Sequence, residues 1–310
     1  MKRNMFFNIE GARHCFEQGG NVTEFLRKEH QSEDNSNKII EVAYDLQTGS
    51  YVKYLAENAS FFNSYIDEMK SLLQNHLIIG DTIMDVGTGE MTTFSLLFKT
   101  IENYISRAKV FDISWSRVYK GTKFSSEMLG TKFNKIDAFV GSINEIPFAD
   151  NSIDITISSH ALEPNGANLS GLLSELFRVT RRKIVLFEPC YEINSDEGKR
   201  RMERLGYIRG LESTVNALGG SMIDFCPMKT VGNPLNPTAC FVIEPAKIDS
   251  TKNLKNGNFY TVPGTSFELI SMDDVLFSKE YGVAFPKING LPVLKHDAAI
   301  LATYLGHEVD

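Results

Sequence analysis

The order of apolar segments in the chain predicts an α/β fold: a mostly parallel sheet with helices on both faces. Three observations carry this. From Asp81 onward, short apolar runs alternate with amphipathic stretches, the pattern of parallel strands joined by crossover helices. The last two runs of that region are too close together for a crossover helix, so they should close the sheet as an antiparallel hairpin. Residues 1–80 carry instead apolar positions at three- and four-residue spacing, which predicts a helical N-terminal lid.

In chain order, helices are expected over NVTEFLRKEH and from Asn37 through YDLQTGSYVKYL to FFNSYIDEMKSLLQNHL. TIMDV is then a strand and MTTFSLLFKTIENYISRA a helix. AKVFDI is a strand and SWSRVYKGTKFSSEML a helix. IDAFVG and SIDITISS are strands, LSGLLSELFRVT a helix, KIVLFEP a strand and SDEGKRRMERLG a helix. SMIDFCPMK and TACFVIEP form the hairpin around TVGNPLNP. The polar stretch 247–258 reads as a linker, and a small β-rich segment follows it. The expected division is 1–80, 81–246 and 247–310.

Composition narrows the function. At 310 residues, with 42% apolar and 23% charged residues, the chain has the make-up of a globular protein. A net charge of −7 argues against broad binding to nucleic acid, which needs a basic footprint. Cys15, Cys190, Cys226 and Cys240 show no CxxC pair, so neither a zinc ribbon nor a disulfide framework is expected. MKRNMFFNIEGARH reaches Glu10 before any useful apolar core, so no secretory leader is expected. No apolar run approaches the roughly 18 residues of a membrane span. These features together predict a cytoplasmic location.

The motif that carries chemistry is IMDVGTGEMTTF, residues 83–94. In an open parallel sheet, ligands sit beyond the carboxyl ends of the strands, and glycine in the first turn lets a ligand approach backbone amides. A nicotinamide turn would read GxGxxG. Here Gly87 and Gly89 are followed by Thr92 in the third position, and no GK[ST] follows for a phosphate loop. Asp85 stands two residues before Gly87. A carboxylate there repels a pyrophosphate and favours a ligand bearing an ammonium or sulfonium charge.

On these residues the chain resembles the class I S-adenosylmethionine-dependent methyltransferases, whose first motif is acid-x-G-x-G-x-G. Asp85, Gly87 and Gly89 match, and Met91 replaces the third glycine. The resemblance implies a Rossmann-like, seven-stranded sheet with an antiparallel last strand, and S-adenosylmethionine as cofactor. It continues in AKVFDIS, where Asp112 follows Asp85 by 27 residues and, with Ile113 beside it, ends a strand. A carboxylate there can accept both ribose hydroxyls. VGSINEIPFADNSIDIT is similar to the family's adenine-binding segment, with Ser142 in place of the usual Asp, so the adenine contact is expected to lean on backbone groups near Ile143. For Trp115 two readings stand equal, a place along the adenine and a place in the core.

The sulfonium methyl is already electrophilic. The protein must align an acceptor and, for a hydroxyl, remove its proton. SSHALEPNG follows the fourth strand and puts His160 close to Glu163. With an unperturbed pKa of about 6.5, His160 is the candidate base and Glu163 its orienting partner. After the fifth strand, FEPCYE offers Glu188 and Glu192 for substrate hydroxyls or an amine. No third ligand joins them, so no metal is expected, and Cys190 reads as a small buried residue. Tyr44, Gln47 and Tyr51 in the lid can shape an acceptor pocket or make plain helix contacts. KRRMERLGYIR reads as a solvated basic face rather than an anion site.

Residues 259–302 resemble a second family, the small zinc-ribbon-related module that activates tRNA and protein methyltransferases. VPGT, AFPKINGLPVL and HDAA match its pattern in order. Val262 replaces the leading cysteine and the segment holds no cysteine, so it is expected to bind no zinc. The expectation is that it packs on its own catalytic domain. The sequence thus predicts a methyltransferase acting on a hydroxyl of a small molecule or sugar intermediate. The alternatives are methylation of tRNA or protein, cofactor binding without catalysis, and a nicotinamide oxidoreductase.

Overall fold

The computed structural model describes residues 8–247 and 259–306. The expected linker therefore lies, Lys247 apart, outside the described residues.

Five helices open the chain: α1 (Ile9–Glu17), α2 (Val22–His30), α3 (Asn37–Leu46), α4 (Ser50–Glu57) and α5 (Ala59–Leu73). Side-chain oxygens of Asn8, Asn21 and Ser36 accept from the orphan amides of the first three, which is how short helices are started. α1 to α3 share a small core around Leu26, Ile39 and Ala43. α5 instead lies on the sheet through Tyr65, Ile66, Met69 and Leu73.

The alternating region forms β1 (Asp81–Val86), α6 (Thr92–Ile101), β2 (Ile105–Asp112), α7 (Trp115–Leu129), β3 (Ile136–Gly141), β4 (Ile153–Ser159), α8 (Leu169–Val179), β5 (Thr180–Pro189), α9 (Asp196–Leu205), α10 (Leu211–Ala217), β6 (Ser221–Pro227) and β7 (Thr238–Glu244). The strands run in the order β6-β7-β5-β4-β1-β2-β3. β1 to β5 pair in parallel. β7 pairs antiparallel with both β5 and β6. The order reverses beside β1, and the crevice at its carboxyl end is the place for a ligand.

Two expectations need correction. The helix after β1 ends at Ile101, not Ala108, because the chain turns at Tyr104. The Tyr104 carbonyl accepts from the amides of Gly80 and Asp81, and Ile105 already pairs with Asp81 in the sheet. α10 was not anticipated, because only Leu211 and Val215 of its seven residues are buried and a single four-residue spacing is too little to mark a helix.

The C-terminal segment adds β8 (Ile270–Ser271), β9 (Val275–Ser278), β10 (Val283–Ile288), β11 (Leu291–Leu294) and β12 (Ile300–Leu301). β11 pairs in parallel with β3, Val293 opposite Val140 and Leu294 opposite Gly141. The sheet therefore continues through β11-β10-β9-β8. Val262, Leu269, Leu276, Phe285 and Leu294 share one core with Met84, Phe111, Phe139 and Phe148. Among the apolar positions of this segment, Phe267 and Ile288 stay exposed while Leu269, Phe277, Phe285, Leu291 and Val293 are buried. No described helix is long and apolar enough to cross a membrane.

Candidate active site

The turn after β1 is built for close approach. Gly87 and Gly89 both have left-handed backbone, φ +66° and +56°. A Cβ on Gly87 would stand 2.4 Å from the Ala161 Cβ, so only glycine lets the loop after β4 fold onto this turn. Met91 also lies at φ 55°. The position where the motif lost its third glycine thus keeps a glycine-like conformation, at a cost of about 1 kcal/mol or more for an L side chain. Its fully buried side chain is one contact that offsets this strain.

Asp112 ends β2 and is buried. Its Oδ2 accepts from the Gly89 amide at 3.0 Å and its Oδ1 from the Ser114 amide at 2.9 Å. Each oxygen keeps lone-pair capacity beyond these bonds, so the carboxylate can still accept a vicinal diol. Asp112, Ile113, Ser142, Ile143, Gly87 and His160 line one cavity, bordered on the N-terminal side by Asn37 and Tyr44. The Ser142 hydroxyl accepts from the Asn144 amide and from Asn37 Nδ2. A second cavity adjoins it, with Asp85, Gly89, Ser159 and Tyr51 in its wall. Tyr44, Gly87, Arg117 and His160 border both.

Burial pushes the Asp85 carboxyl up to about 7, with the charges of Asp112 and Glu188 adding to it. A ligand bearing positive charge would draw it back to the ionised form. Glycine turn, diol-accepting carboxylate and buried acid together fit S-adenosylmethionine.

The N-terminal helices are clamped to this cleft by two carboxylates that the sequence did not single out. Glu90 accepts from the amides of Gly49 (2.8 Å), Tyr51 (3.4 Å) and Val52 (3.0 Å), at the start of α4. Asp45 accepts from the Ser114 and Ser116 hydroxyls and the Ser116 amide, at the start of α7. Acids at helix N-termini meet exposed amides and a favourable dipole. The signal was present for Glu90, inside the motif beside Gly89; Asp45 reads in sequence as an ordinary helix-surface acid.

His160 has left-handed backbone, φ 56°, with its amide on the Phe187 carbonyl. Its Nδ1 lies 3.1 Å from Glu163 Oε2 and its Nε2 2.9 Å from Thr238 Oγ1. Asn236 Nδ2 donates to the same Glu163 oxygen at 3.2 Å. Burial lowers the His160 pKa, but the Glu163 hydrogen bond and charge outweigh it, and the net shift is upward.

The remaining candidates separate. Tyr44 and Tyr51 meet Glu163, Gln47 and Tyr207 around a further polar cavity. Glu188 is fully buried. Its Oε1 accepts from Ser158 Oγ and the amides of Ala161 and Leu162, and burial holds it near 7. It therefore shapes the loop bearing His160 from beneath, instead of facing a substrate. Glu192 stands away from the cleft, accepting from the Gly210 amide beside an apolar pocket under β6. Trp115 stacks on Tyr119 at 4.6 Å. Among the described residues no group of three or more His, Cys, Asp or Glu could hold a metal ion.

The fold and this cleft fit an enzyme class that a family model also matches. Residues 84–187 match the family model described as "Methyltransferase domain". No curated protein matches the chain. Among solved structures, a chain of the complex between the Haloferax volcanii Trm112 methyltransferase activator and a methyltransferase is 16% identical (TM-score 0.49; 64% of this chain, 98% of that one). Geranyl diphosphate C-methyltransferase from Streptomyces coelicolor A3(2) is 11% identical (TM-score 0.45; 57% and 78%). The cyclase SpnF is 12% identical (TM-score 0.47; 58% and 80%). The chain carries a methyltransferase domain and is an S-adenosylmethionine-dependent methyltransferase.

Replacing Asp112 with alanine is expected to weaken binding of S-adenosylhomocysteine about a hundredfold or more, since hydrogen bonds to a charged group contribute roughly 1.5–3 kcal/mol each. Calorimetry on the folded variant checks this. An unchanged affinity would remove the ribose role of this carboxylate.

Proposed function

We propose that the enzyme methylates a hydroxyl of a small polar molecule, with His160 as general base. The observation that carries this is the His160–Glu163 pair at 3.1 Å, at the junction of the cofactor cleft and the polar cavity. When bound, S-adenosylmethionine supplies an electrophilic methyl group. The chain's task is to bring a hydroxyl in line with it and take up the proton. With Nδ1–H donated to Glu163, the Nε2 lone pair is the basic site, and the Thr238 hydroxyl occupies it at 2.9 Å. An acceptor hydroxyl can take the place of Thr238 or lose its proton through it.

The acceptor cavity is walled by Asn35, Gln47, Tyr51, Glu163 and Tyr207. Amides, phenols and a carboxylate suit a hydroxylated molecule such as a sugar intermediate. We also read the segment 259–302 as an activator-like module carried in the same chain. The parallel pairing of β11 with β3 supports this.

The test is transfer of a deuterated methyl group into a metabolite extract, followed by mass spectrometry of the small-molecule, tRNA and protein fractions. An O-methyl ether in the first is the expected result. Label confined to tRNA or protein, or to nitrogen, would overturn it. Cofactor binding without any transfer would leave a binding protein.

A further inference from the structure

Arg117 is a buried cation whose bonding is incomplete. Its side chain is 7% exposed, on the first turn of α7. The guanidinium lies over two rings of the N-terminal helices, 4.5 Å from the Tyr51 centroid and 5.2 Å from that of Tyr44, with the Tyr51 hydroxyl in polar contact with it. It also lies flat on the motif turn, where a Cβ at residue 89 would come within 2.5 Å of an Nη atom. Glycine at 89 is therefore what makes room for it.

The acids around it attract the charge but give it no short hydrogen bond. Asp112 Oδ2 forms a long ion pair with it at 4.0 Å, beyond hydrogen-bond reach, and that carboxylate accepts from Gly89 and Ser114. Glu90 serves the amides of Gly49, Tyr51 and Val52. Glu163 holds His160 and Asn236. Arg117 Nε is buried with no acceptor. A buried donor left unsatisfied is unfavourable, and a buried charge more so. Entry of a sulfonium cation makes this guanidinium less favourable still, unless negative charge comes with it.

We propose that Arg117 is an oxyanion clamp in the methyl-transfer cleft, receiving a carboxylate or phosphate group between the walls of Tyr44 and Tyr51. Its planar fork of donors matches such groups, and it borders both cavities of the cleft. Two sources share this chemistry. One is the amino-acid carboxylate of the cofactor. The other is an acidic acceptor, which rests on the small-molecule reading above and would make the acceptor an anion.

Calorimetry on the full chain distinguishes them, using wild type, Arg117→Met and Arg117→Lys. The probes are S-adenosylhomocysteine and 5′-methylthioadenosine, which keeps the nucleoside and thioether but lacks the amino acid. If the cofactor carboxylate is the ligand, Arg117→Met loses roughly ten- to a hundredfold on S-adenosylhomocysteine and stays within about twofold on methylthioadenosine. If the acceptor supplies the oxyanion, both nucleosides bind as before. Inorganic phosphate or benzoate then saturates the S-adenosylhomocysteine-loaded wild type and binds Arg117→Met at least about tenfold more weakly.

Equal binding of every probe by wild type and Arg117→Met would overturn the proposal, as would an equal loss on both nucleosides with anion binding unchanged. Should Arg117→Met not fold, Arg117→Lys decides. It keeps the charge and loses the fork, so a weakened affinity in either arm supports the clamp. Wild-type affinities throughout would reduce Arg117 to a tie for the N-terminal helices. Failure to find an O-methyl product would leave these binding results standing.

Discussion

Changing His160 to alanine is expected to slow turnover by roughly 10²–10⁴-fold, the usual contribution of a general base, while S-adenosylhomocysteine affinity stays near that of wild type. The pH profile gives the sharper signature. A general base acts only when neutral, so with His160 in that role the rate should rise with pH through its pKa. Glu163 sets that pKa above the ordinary 6.5 against the opposing effect of burial, so the ascending limb should lie above pH 6.5 and vanish in the alanine variant. Glu163→Gln removes the charge and leaves burial in control. Its limb should move to lower pH, with a smaller loss of rate. Normal turnover in His160→Ala would place the base elsewhere or make the acceptor an amine that needs none. A Glu163→Gln profile that does not move would show that the two side chains do not act as a pair.

The catalytic sheet was legible because its signals are local. Each strand from TIMDV to TACFVIEP is a short apolar run, and the spacing between runs says whether a helix can cross. The tight turn after β1 was legible for the same reason: Gly87 and Gly89 are neighbours, and both take the left-handed backbone their order suggests. Even the lost glycine is intelligible in the structure, since Met91 keeps the left-handed backbone at φ 55°.

What could not be read are meetings between distant segments. Asp45 caps α7 from about 70 positions away, and Thr238 reaches His160 across 78. Arg117 looks in sequence like any charged residue in SWSRVYKG. Its burial needs Gly89 beneath it and two tyrosines from the N-terminal helices around it. Glu188 and Glu192 looked alike, four residues apart. The sheet buries the first under the His160 loop, and the chain turns the second away. Side-chain direction at a strand end depends on the loop that follows, and FEPCYE does not encode that loop locally.

Ending the chain at residue 250 is expected to give an aggregating or strongly destabilised protein. The segment beyond it inserts Val262, Leu269, Leu276, Phe285 and Leu294 into the core that contains Met84, Phe111, Phe139 and Phe148. At about 1.5–3 kcal/mol for each fully buried side chain, these five contacts are worth on the order of 10 kcal/mol. A whole domain is stable by only about 5–15 kcal/mol. Tyr260 packs against Phe139 at 5.3 Å and Phe148 at 5.4 Å, and with Phe148 it covers Lys109, which is buried on Asp137 at 2.9 Å. Loss of the segment would bare those rings, uncover that ion pair and leave β3 as an open sheet edge, a template for association between chains. The segment contains no cysteine for a zinc ribbon, and a chelator is expected to leave the full chain's melting temperature unchanged. Expression of 1–250 with size-exclusion chromatography and thermal denaturation checks the prediction. A monomeric fragment melting with the full chain would make the segment a tethered accessory, and the shared core around Phe285 would then contribute far less than its burial implies.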